Sequence, residues 1–180
     1  MPQIDGPLSA HHSLSFATKF GWFRPISDGV NLIRLDWNQT GWTDPDHPDD
    51  VSRETKNQLV AYMAGQLRQF TVPIAPQHTS PTGKHWLTIM AKIPYGTVVT
   101  YGEFAALAGK PGAARAAGSS CANNPIPIIF PCHRVVRRDR SLGNYGGGSD
   151  LDPTHPDNIR RKAALIAMEQ DYIAQKSGMP

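Results

Sequence analysis

The chain has 180 residues, of which 39% are hydrophobic and 18% are charged, enough to bury the core of one ordinary domain or two small ones. It contains no apolar run approaching the ~20 residues that span a bilayer, and Met1–Ala10 lacks the basic-then-apolar layout of a secretory signal. We therefore expect a cytoplasmic protein with no membrane association. The two cysteines, Cys121 and Cys132, are expected to be reduced thiols, which excludes a disulfide scaffold and a structural zinc site.

The formal net charge of +3 is unevenly distributed along the chain. Between Lys92 and Lys162 there are ten lysine and arginine residues against five acidic ones, whereas the rest of the chain is slightly acidic. A basic second half indicates a polyanionic partner, nucleic acid above all. The alternative is a solvated, loop-rich surface without such a partner, and charge alone does not separate the two.

The first half of the chain carries strand and helix patterns. Phe16–Phe23 and Val30–Trp37 are rich in aromatic and β-branched residues on either side of a Ser-Asp-Gly turn, which predicts a β-hairpin. Ser52–Leu67 places apolar residues at helical spacing, and Phe70–Ile74 alternates as a further strand does. The polar stretch that follows predicts a linker, with a domain boundary at Thr79.

Helical signals dominate after this boundary. Ser80 before Pro81 predicts a helix N-cap, and Thr100 with Glu103 predicts a capping box that opens a second helix. A Gly-Lys-Pro-Gly break separates that helix from a short third one, which ends near Ala122. Two helices joined by a tight glycine-containing turn predict a helix-turn-helix, although many unrelated helix pairs share the pattern.

The third helix consists almost entirely of small residues, with Arg115 as its single large side chain. A face of small residues lets a helix backbone approach another surface closely. If that surface is DNA, one long cation can reach between the bases. Alternatively, the helix packs against its own core and leaves Arg115 exposed to solvent.

Cys132 lies in the segment with the clearest chemical signal. An apolar, strand-like run over Ile126–Phe130 ends at Pro131, which cannot donate to a sheet and redirects the chain. The neighbouring imidazole and guanidinium of His133 and Arg134 are groups that lower a thiol pKa and produce a nucleophilic thiolate. A buried, inert cysteine is the competing interpretation.

Pro131–Val136, with the sequence PCHRVV, resembles the active-site signature of the O6-alkylguanine-DNA alkyltransferases, also called methylated-DNA–protein-cysteine methyltransferases. Further segments resemble motifs of the same family in the same order: Ile93–Gly96, Thr100–Glu103, Ala114–Gly118, Asn124–Pro127 and Leu142–Gly147. Together they span Trp86–Glu169, and their combination is highly specific. The preceding hairpin-and-helix half is compatible with the family but does not identify it.

The resemblance implies an α+β fold. We expect a small sheet-and-helix domain of the ribonuclease-H-like type over residues 1–79. A mostly helical, winged helix-turn-helix-like domain over residues 80–180 is expected to carry both DNA binding and the active site. The implied partner is double-stranded DNA bearing O6-alkylguanine, bound by a monomer, and cooperative binding along the DNA stays open.

The resemblance further implies the reaction. The family removes an alkyl group from O6 of guanine, and by extension from O4 of thymine, through in-line displacement at a cysteine, here Cys132. The thioether product is stable, so each polypeptide acts once, and no cofactor or metal is expected. His133 is implied as a base that acts through a water. Glu169, on a helix predicted over Lys162–Tyr172, is implied as the group that orients it.

Other family roles map onto single residues. Tyr101 is assigned to rotating the 3′ phosphate and polarising the extruded guanine, and Asn124 to a hinge. Lys162 matches a family lysine near the pocket, and Arg115 is assigned to the space that the flipped base leaves. The remaining DNA contacts are Ala113, Ala114, Gly118, Ser119 and Arg134, and the base-pocket wall is Tyr145, Gly146 and Gly147.

The chain departs from the family pattern at Ser149–Asn158, an acidic, proline-rich insertion that we predict to be a surface loop beside the pocket. A metal site shared with the similar segment Asp44–Asp50 is disfavoured, because both segments are predicted to be flexible loops. Two other functions stay open. One is a sensor that binds alkylated DNA without repairing it, against which the thiol argues. The other is a cysteine hydrolase, for which adjacent cysteine and histidine are not the usual arrangement.

Overall fold

The computed structural model describes residues 11–178, and its N-terminal part is an antiparallel sheet with the third strand at its centre. The strands of this sheet are β1 (His12–Ser13), β2 (Phe16–Thr18), β3 (Gly21–Ser27) and β4 (Leu32–Asn38). The remaining elements are α1 (Asp50–Met63), α2 (Pro81–Met90), β5 (Val99–Thr100), α3 (Tyr101–Leu107), α4 (Ala114–Ala122), β6 (Val135–Val136) and α5 (Pro156–Ser177). None of these helices combines the length and the apolar character that a membrane crossing needs.

The predicted hairpin is confirmed, but its first strand is divided in two. β3 and β4 pair in antiparallel register with Phe23 opposite Trp37, and the Asp28 carboxylate accepts from backbone N–H groups of the turn between them. The predicted strand Phe16–Phe23 is interrupted because the chain reverses just before Gly21, whose φ of 106° favours glycine. β2 therefore folds back onto β3 as a second hairpin.

α1 follows its predicted range closely at the start. It begins at a capping box formed by Asp49 and Ser52, and it ends before the predicted Leu67, where the chain turns at Gly65 with φ of 73°. The strand predicted over Phe70–Ile74 is wrong, since only its last residue forms a bridge, to β4. The segment between α1 and α2 is therefore largely irregular.

The helix starts predicted for the second half are confirmed. The Ser80 hydroxyl accepts from the backbone of the first turn of α2, and Thr100 and Glu103 form reciprocal capping bonds at the start of α3. α3 and α4 pack on each other, with Ala105 and Ala117 fully buried. The pair has the order that a helix-turn-helix requires, whereas the winged and ribonuclease-H-like forms stay predictions.

The strand predicted over Ile126–Phe130 is wrong. Pro127 and Phe130 face each other across a tight turn, and Ile128 adopts φ of 75°, a strained conformation for a β-branched residue. Cys132–Arg134 then form a single 3-10 turn, after which β6 pairs in parallel with β5. The reactive segment is therefore presented by a turn and not by a strand.

α5 begins at Pro156, earlier than predicted, so the insertion Ser149–Asn158 supplies the first turn of this helix as well as a loop. Asn158 is fully buried, and its side-chain amide donates to the carbonyls of Leu151 and Asp152 at 3.3 and 3.0 Å. The inserted loop is therefore anchored on α5. The prediction of a loop through residue 158 is corrected in that respect.

The two halves of the chain share one hydrophobic core. The Leu35 N–H donates to the Pro125 carbonyl at 2.9 Å and the Trp37 N–H to the Gly148 carbonyl at 2.7 Å, so β4 lies against two loops of the second half. Buried side chains from the N-terminal sheet and from all five helices belong to a single hydrophobic cluster. The division into domains at Thr79 stays a prediction.

Gly148 and Gly109 form a matched pair for testing this junction. Both have positive φ, 72° and 71°, but a Cβ on Gly148 would overlap the Leu35 carbonyl oxygen, whereas one on Gly109 would meet nothing within 4 Å. We expect Gly109→Ala to lower the free energy of unfolding by about 1–2 kcal/mol, the strain of a left-handed backbone. Gly148→Ala should cost far more or prevent folding. Urea unfolding measures both, and equal costs would contradict the close approach of β4 to this loop.

Candidate active site

Cys132 is buried in the 3-10 turn, with 2% of its surface exposed. The Asn124 side-chain amide donates to its Sγ at 3.1 Å and to the Phe130 carbonyl at 2.8 Å. Asn124 lies just after α4, and its Oδ1 accepts from the Ile126 N–H at 3.1 Å. One amide thus links the end of α4 to the cysteine turn, which is the contact that the predicted hinge requires.

Two cations of α5 lie near the thiol. The pKa of Cys132 is raised from its usual value by burial, an effect that the hydrogen bond from Asn124 and the charges of Lys162 and Arg161 offset only in part. Lys162 is fully buried, and burial lowers its pKa to about 8. Its ammonium group donates to backbone carbonyls on both sides of the site, those of Val135 at 2.7 Å, Leu142 at 2.5 Å and Asn144 at 3.3 Å. It therefore ties the segment after the cysteine to the glycine-rich loop, which consists of Leu142–Gly147.

Glu169 of α5 is the centre of a buried polar network. Its Oε1 lies 2.9 Å from His133 Nε2, and both carboxylate oxygens accept from Arg134, each at 2.9 Å. Oε1 also accepts from the Tyr62 hydroxyl, and Oε2 from the Gly96 N–H at 3.0 Å. Burial alone would raise the pKa of Glu169, but its hydrogen bonds and charges with His133 and Arg134 lower it far below the usual 4.5. Glu169 is therefore ionised.

His133 is neutral and has one ring nitrogen without a hydrogen-bond partner in residues 11–178. It is fully buried, and burial lowers its pKa despite the opposing effect of Glu169. Because Nε2 faces a carboxylate, we assign the proton to Nε2, which leaves Nδ1 with a free lone pair. Nδ1 is buried and has no hydrogen-bond partner within residues 11–178. His133 is thus joined to the carboxylate that the resemblance had paired with it.

Arg134 does not have the position predicted for a DNA contact, and this assignment is corrected. Only 6% of its surface is exposed. Its guanidinium holds both oxygens of Glu169, and Nη1 donates to the Ile93 carbonyl at 2.6 Å. A bidentate, buried ion pair of this kind is not available to phosphate. Arg134 belongs to the support of the active site.

Tyr101 and Tyr145 occupy different environments. Tyr101, the first residue of α3, is half-buried, and burial raises its pKa to about 12, so its hydroxyl remains a hydrogen-bond donor at neutral pH. Lys162 Nζ lies 6.0 Å from the centre of its ring. Tyr145 is 3% exposed, burial raises its pKa, and its hydroxyl has no partner in the part of the chain that the structure covers.

The glycine-rich loop predicted as a pocket wall packs tightly on its surroundings. A Cβ on Gly146 would crowd Pro153 of the insertion, and one on Gly147 would lie 3.2 Å from the Asn124 carbonyl. The Tyr145 N–H donates to the Pro153 carbonyl at 2.9 Å. The insertion therefore contacts the predicted pocket wall directly.

α4 presents a small-residue face to solvent. Arg115 is exposed there, together with Ala114, Ala116, Ser119 and Ala122, while Ala113 and Gly118 are half-buried. Ala117 and Cys121 point into the core, and burial raises the pKa of the Cys121 thiol, so this thiol is protonated at neutral pH. The helix thus has an inner face that packs on the core and an outer face that is exposed to solvent. This arrangement is compatible with both interpretations of the sequence, packing against the core and close approach to another surface.

A groove of about 1070 Å³ runs beside α4. Its walls come from β4, from the linker before α2, from α2 itself, from α4 and from the inserted loop. It reaches Asn124 and Gly146, but Cys132 does not line it. No cluster of three or more histidine, cysteine or acidic side chains suited to a metal occurs between residues 11 and 178.

Sequence reasoning missed two residues of the site, Tyr62 and Arg161. Tyr62 lies on the buried face of α1, where its spacing indicates only a core position. Arg161 stands in a basic Arg-Arg-Lys run that is typical of a solvated helix face, yet it is 3% exposed. Neither carries a local signal that could have identified it.

Comparisons with known proteins agree with this geometry. The family model described as 6-O-methylguanine DNA methyltransferase, DNA binding domain, matches residues 82–171. A methylated-DNA–protein-cysteine methyltransferase of Mycobacterium tuberculosis is 41% identical over 133 residues, which cover 74% of this chain and 72% of the relative. One of Methanosarcina acetivorans is 43% identical over 103 residues, 57% of this chain and 65% of that relative.

Solved structures resemble the whole fold. The O6-methylguanine methyltransferase of M. tuberculosis superposes with a TM-score of 0.74 at 32% identity, over 90% of this chain and 94% of that chain. A structure of the M. tuberculosis protein in complex with DNA gives a TM-score of 0.75 at 32% identity, over 89% and 94% of the two chains. The similarity therefore extends beyond the C-terminal motifs to the mixed α and β architecture.

Glu169→Gln tests the buried network. The substitution removes the anion paired with Arg134 and leaves a buried cation, so we expect it to lower the free energy of unfolding by about 3–5 kcal/mol at neutral pH. Below the ordinary carboxyl pKa of 4.5 the unfolded wild-type chain binds a proton that native Glu169 does not. The free energy of unfolding of the wild-type protein therefore decreases as the pH is lowered. Its difference from that of Glu169→Gln narrows in the same direction.

Urea unfolding between about pH 7 and pH 4 measures this difference. Glu54→Gln, at an exposed position of α1, is the control and should change stability little at either pH. A difference between wild type and Glu169→Gln that stays constant with pH would contradict the network.

Proposed function

The chain belongs to the 6-O-methylguanine DNA methyltransferase family, and on that premise we propose that it repairs DNA by moving an alkyl group from O6 of guanine to Cys132. The observation that carries the proposal is the thiol itself, held by Asn124 at 3.1 Å next to the His133–Glu169 pair. A nucleophile, a neutral base and an orienting carboxylate are the groups that nucleophilic transfer needs. The activity is that of a methylated-DNA–protein-cysteine methyltransferase.

The proposed chemistry is an in-line displacement. The thiol proton passes through a water to His133 Nδ1, and Glu169 stabilises the resulting imidazolium. Sγ then bonds to the alkyl carbon as the bond from that carbon to O6 breaks, and the electron pair leaves with guanine. Tyr101, whose raised pKa of about 12 keeps its hydroxyl protonated, meets the negative charge on the departing base.

The product explains why the protein acts once. A thioether is a poor leaving group, so neither water nor a base regenerates Cys132. The transfer consumes only the thiol and the alkylated base, and we propose that it needs no cofactor. The same displacement applies to O4-alkylthymine, which presents an equivalent alkyl–oxygen bond.

The target oxygen lies inside a duplex, so the base must leave the stack before attack. We propose that α3 and α4 act as a helix-turn-helix whose outer α4 face approaches the minor groove of double-stranded DNA. The small residues there, Ala113, Ala114, Gly118 and Ser119, allow the backbone close to the sugar-phosphate chain. Arg115 is exposed and long enough to fill the space of the extruded base. Contacts to phosphate give affinity without sequence preference, and a monomer suffices.

The extruded guanine is proposed to lie near the glycine-rich loop. Tyr145 offers an aromatic face for stacking, and the backbone at Gly146 and Gly147 is proposed to select guanine. Lys162 holds this loop to the segment after Cys132 through its three carbonyl contacts. Tyr101 is proposed to turn the 3′ phosphate as the base rotates.

Intact mass measurement with excess O6-methylguanine duplex tests the transfer. We expect the wild-type chain to gain the mass of a single methyl group on the peptide that contains Cys132, and Cys132→Ser to gain none while still binding DNA. Cys121→Ser is the matched control, because the proposed transfer does not use the second buried thiol, and it should still gain one methyl. Product beyond one equivalent per chain would indicate a turnover enzyme. DNA binding with no mass change would indicate a sensor.

Arg115→Ala tests base extrusion. Without the side chain that fills the stack, we expect transfer from duplex DNA to slow by tenfold or more, about 1.4 kcal/mol. Reaction with free O6-benzylguanine should be nearly unchanged, because a free base needs no extrusion. Arg53→Ala, an exposed arginine of α1, serves as the control for loss of a surface cation. Equal losses on duplex and free base would refute the role of Arg115.

A further inference from the structure

Arg161 of α5 is buried against aromatic rings. Its guanidinium carbon lies 3.5 Å from the centre of the Trp37 ring, 5.0 Å from that of Tyr145 and 5.7 Å from that of Phe23. Desolvated cation–π contacts of this kind are stabilising, so they offset part of the cost of burying the charge. The stack also joins the N-terminal sheet to the glycine-rich loop.

The polar groups of Arg161 are poorly satisfied. Nη2 donates to the Gly147 carbonyl at 3.4 Å, but Nε and Nη1 have no partner in the described part of the chain. The other two buried arginines differ, since Arg24 is paired with Asp44 and Asp46 and Arg134 with Glu169. Arg161 forms no ion pair among residues 11–178. A buried cation without a carboxylate is costly unless an anion forms beside it.

Among residues 11–178, the groups acting on Arg161 that can become that anion are Tyr145 and Cys132. Burial raises the pKa of Tyr145 so far that its phenol stays neutral. Cys132 is the group that the proposed reaction must ionise. The titratable and charged groups that face its thiol are Tyr101 on α3, Cys121 on α4, Tyr145 in the glycine-rich loop and Arg161 and Lys162 on α5, with His133 next in the chain. Of these, the tyrosines and Cys121 stay neutral.

We propose that Arg161 is a positioning residue of the reaction, a buried cation held beside the nucleophile by the Trp37–Tyr145 stack so that the Cys132 thiolate has a fixed counter-charge. The inference rests on the proposed function, since it concerns the same thiol. No proton moves to or from Arg161. It stays charged, and the thiol proton leaves by way of His133. Lys162 is the second cation near the thiol, and its ammonium group donates to three backbone carbonyls. Nε and Nη1 of Arg161, in contrast, have no hydrogen-bond partner among the described residues.

The test is the pH dependence of the single-turnover reaction with free O6-benzylguanine, followed by intact mass. Arg161→Gln removes the charge, so we expect the apparent pKa of Cys132 to rise by about one unit and the rate at neutral pH to fall about tenfold. The rate should recover toward wild type at high pH, where the thiol ionises without help. Arg161→Lys keeps the charge and loses the stack, so it should retain a near-wild-type pH profile with a lower Tm.

Arg160→Gln is the matched control, because Arg160 is the adjacent residue, is exposed and pairs with Asp157. It should leave the pH profile unchanged. Arg161→Met provides a second neutral variant, so one folded protein without the charge is sufficient. A loss of rate that is the same at every pH would mean that Arg161 only supports the fold, and would overturn the inference. Wild-type protein that gains no alkyl group would instead overturn the proposed function.

Discussion

One buried carboxylate holds the reactive segment in place. Glu169 accepts hydrogen bonds from Tyr62 of α1, from the Gly96 backbone after α2 and from His133 and Arg134 of the 3-10 turn. A buried anion is tolerated only when it is paired and its lone pairs are satisfied, and here both conditions are met. Because the partners come from separate segments, the carboxylate is fully satisfied only when all of them are in place. The orientation of His133 is therefore a property of the whole fold.

The charges of the site form two separate sets. Arg134 pairs with Glu169, so the carboxylate that orients the histidine is already neutralised. Lys162 and Arg161 lie on the thiol side and have no carboxylate partner within residues 11–178. If Glu169 faced these cations instead, it would cancel the charge that a thiolate at Cys132 requires. The pairing of Arg134 with Glu169 thus leaves the charges of Lys162 and Arg161 available to the thiolate that we propose at Cys132.

The sequence predicted the features that depend on neighbouring residues. The caps at Ser80 and Thr100 form bonds within three residues, so their residue types are sufficient to identify them. Ile126–Phe130 has the composition of a strand, but the contacts of this region with β4 and Asn124 hold it in a turn. Tertiary contacts therefore outweigh strand propensity there. Arg134 and Tyr62 meet Glu169 across 35 and 107 residues. Contacts at that range leave no trace in local spacing, which is why one role was assigned wrongly and the other missed.

The buried face of α5 explains why the insertion Ser149–Asn158 does not disturb the candidate active site. The buried residues of this helix recur at helical spacing: Asn158, Arg161, Lys162, Leu165 and Glu169. Asn158 anchors the inserted loop, and Arg161 and Lys162 are the two cations near the thiol. Leu165 packs in the core, and Glu169 binds His133. Because the helix already starts at Pro156, the extra residues are absorbed as a loop and a first turn upstream of Arg161. From that point the period of 3.6 residues per turn fixes the distance between the cations and Glu169. The length of the insertion can therefore vary while the chemistry of Cys132 and His133 keeps its geometry.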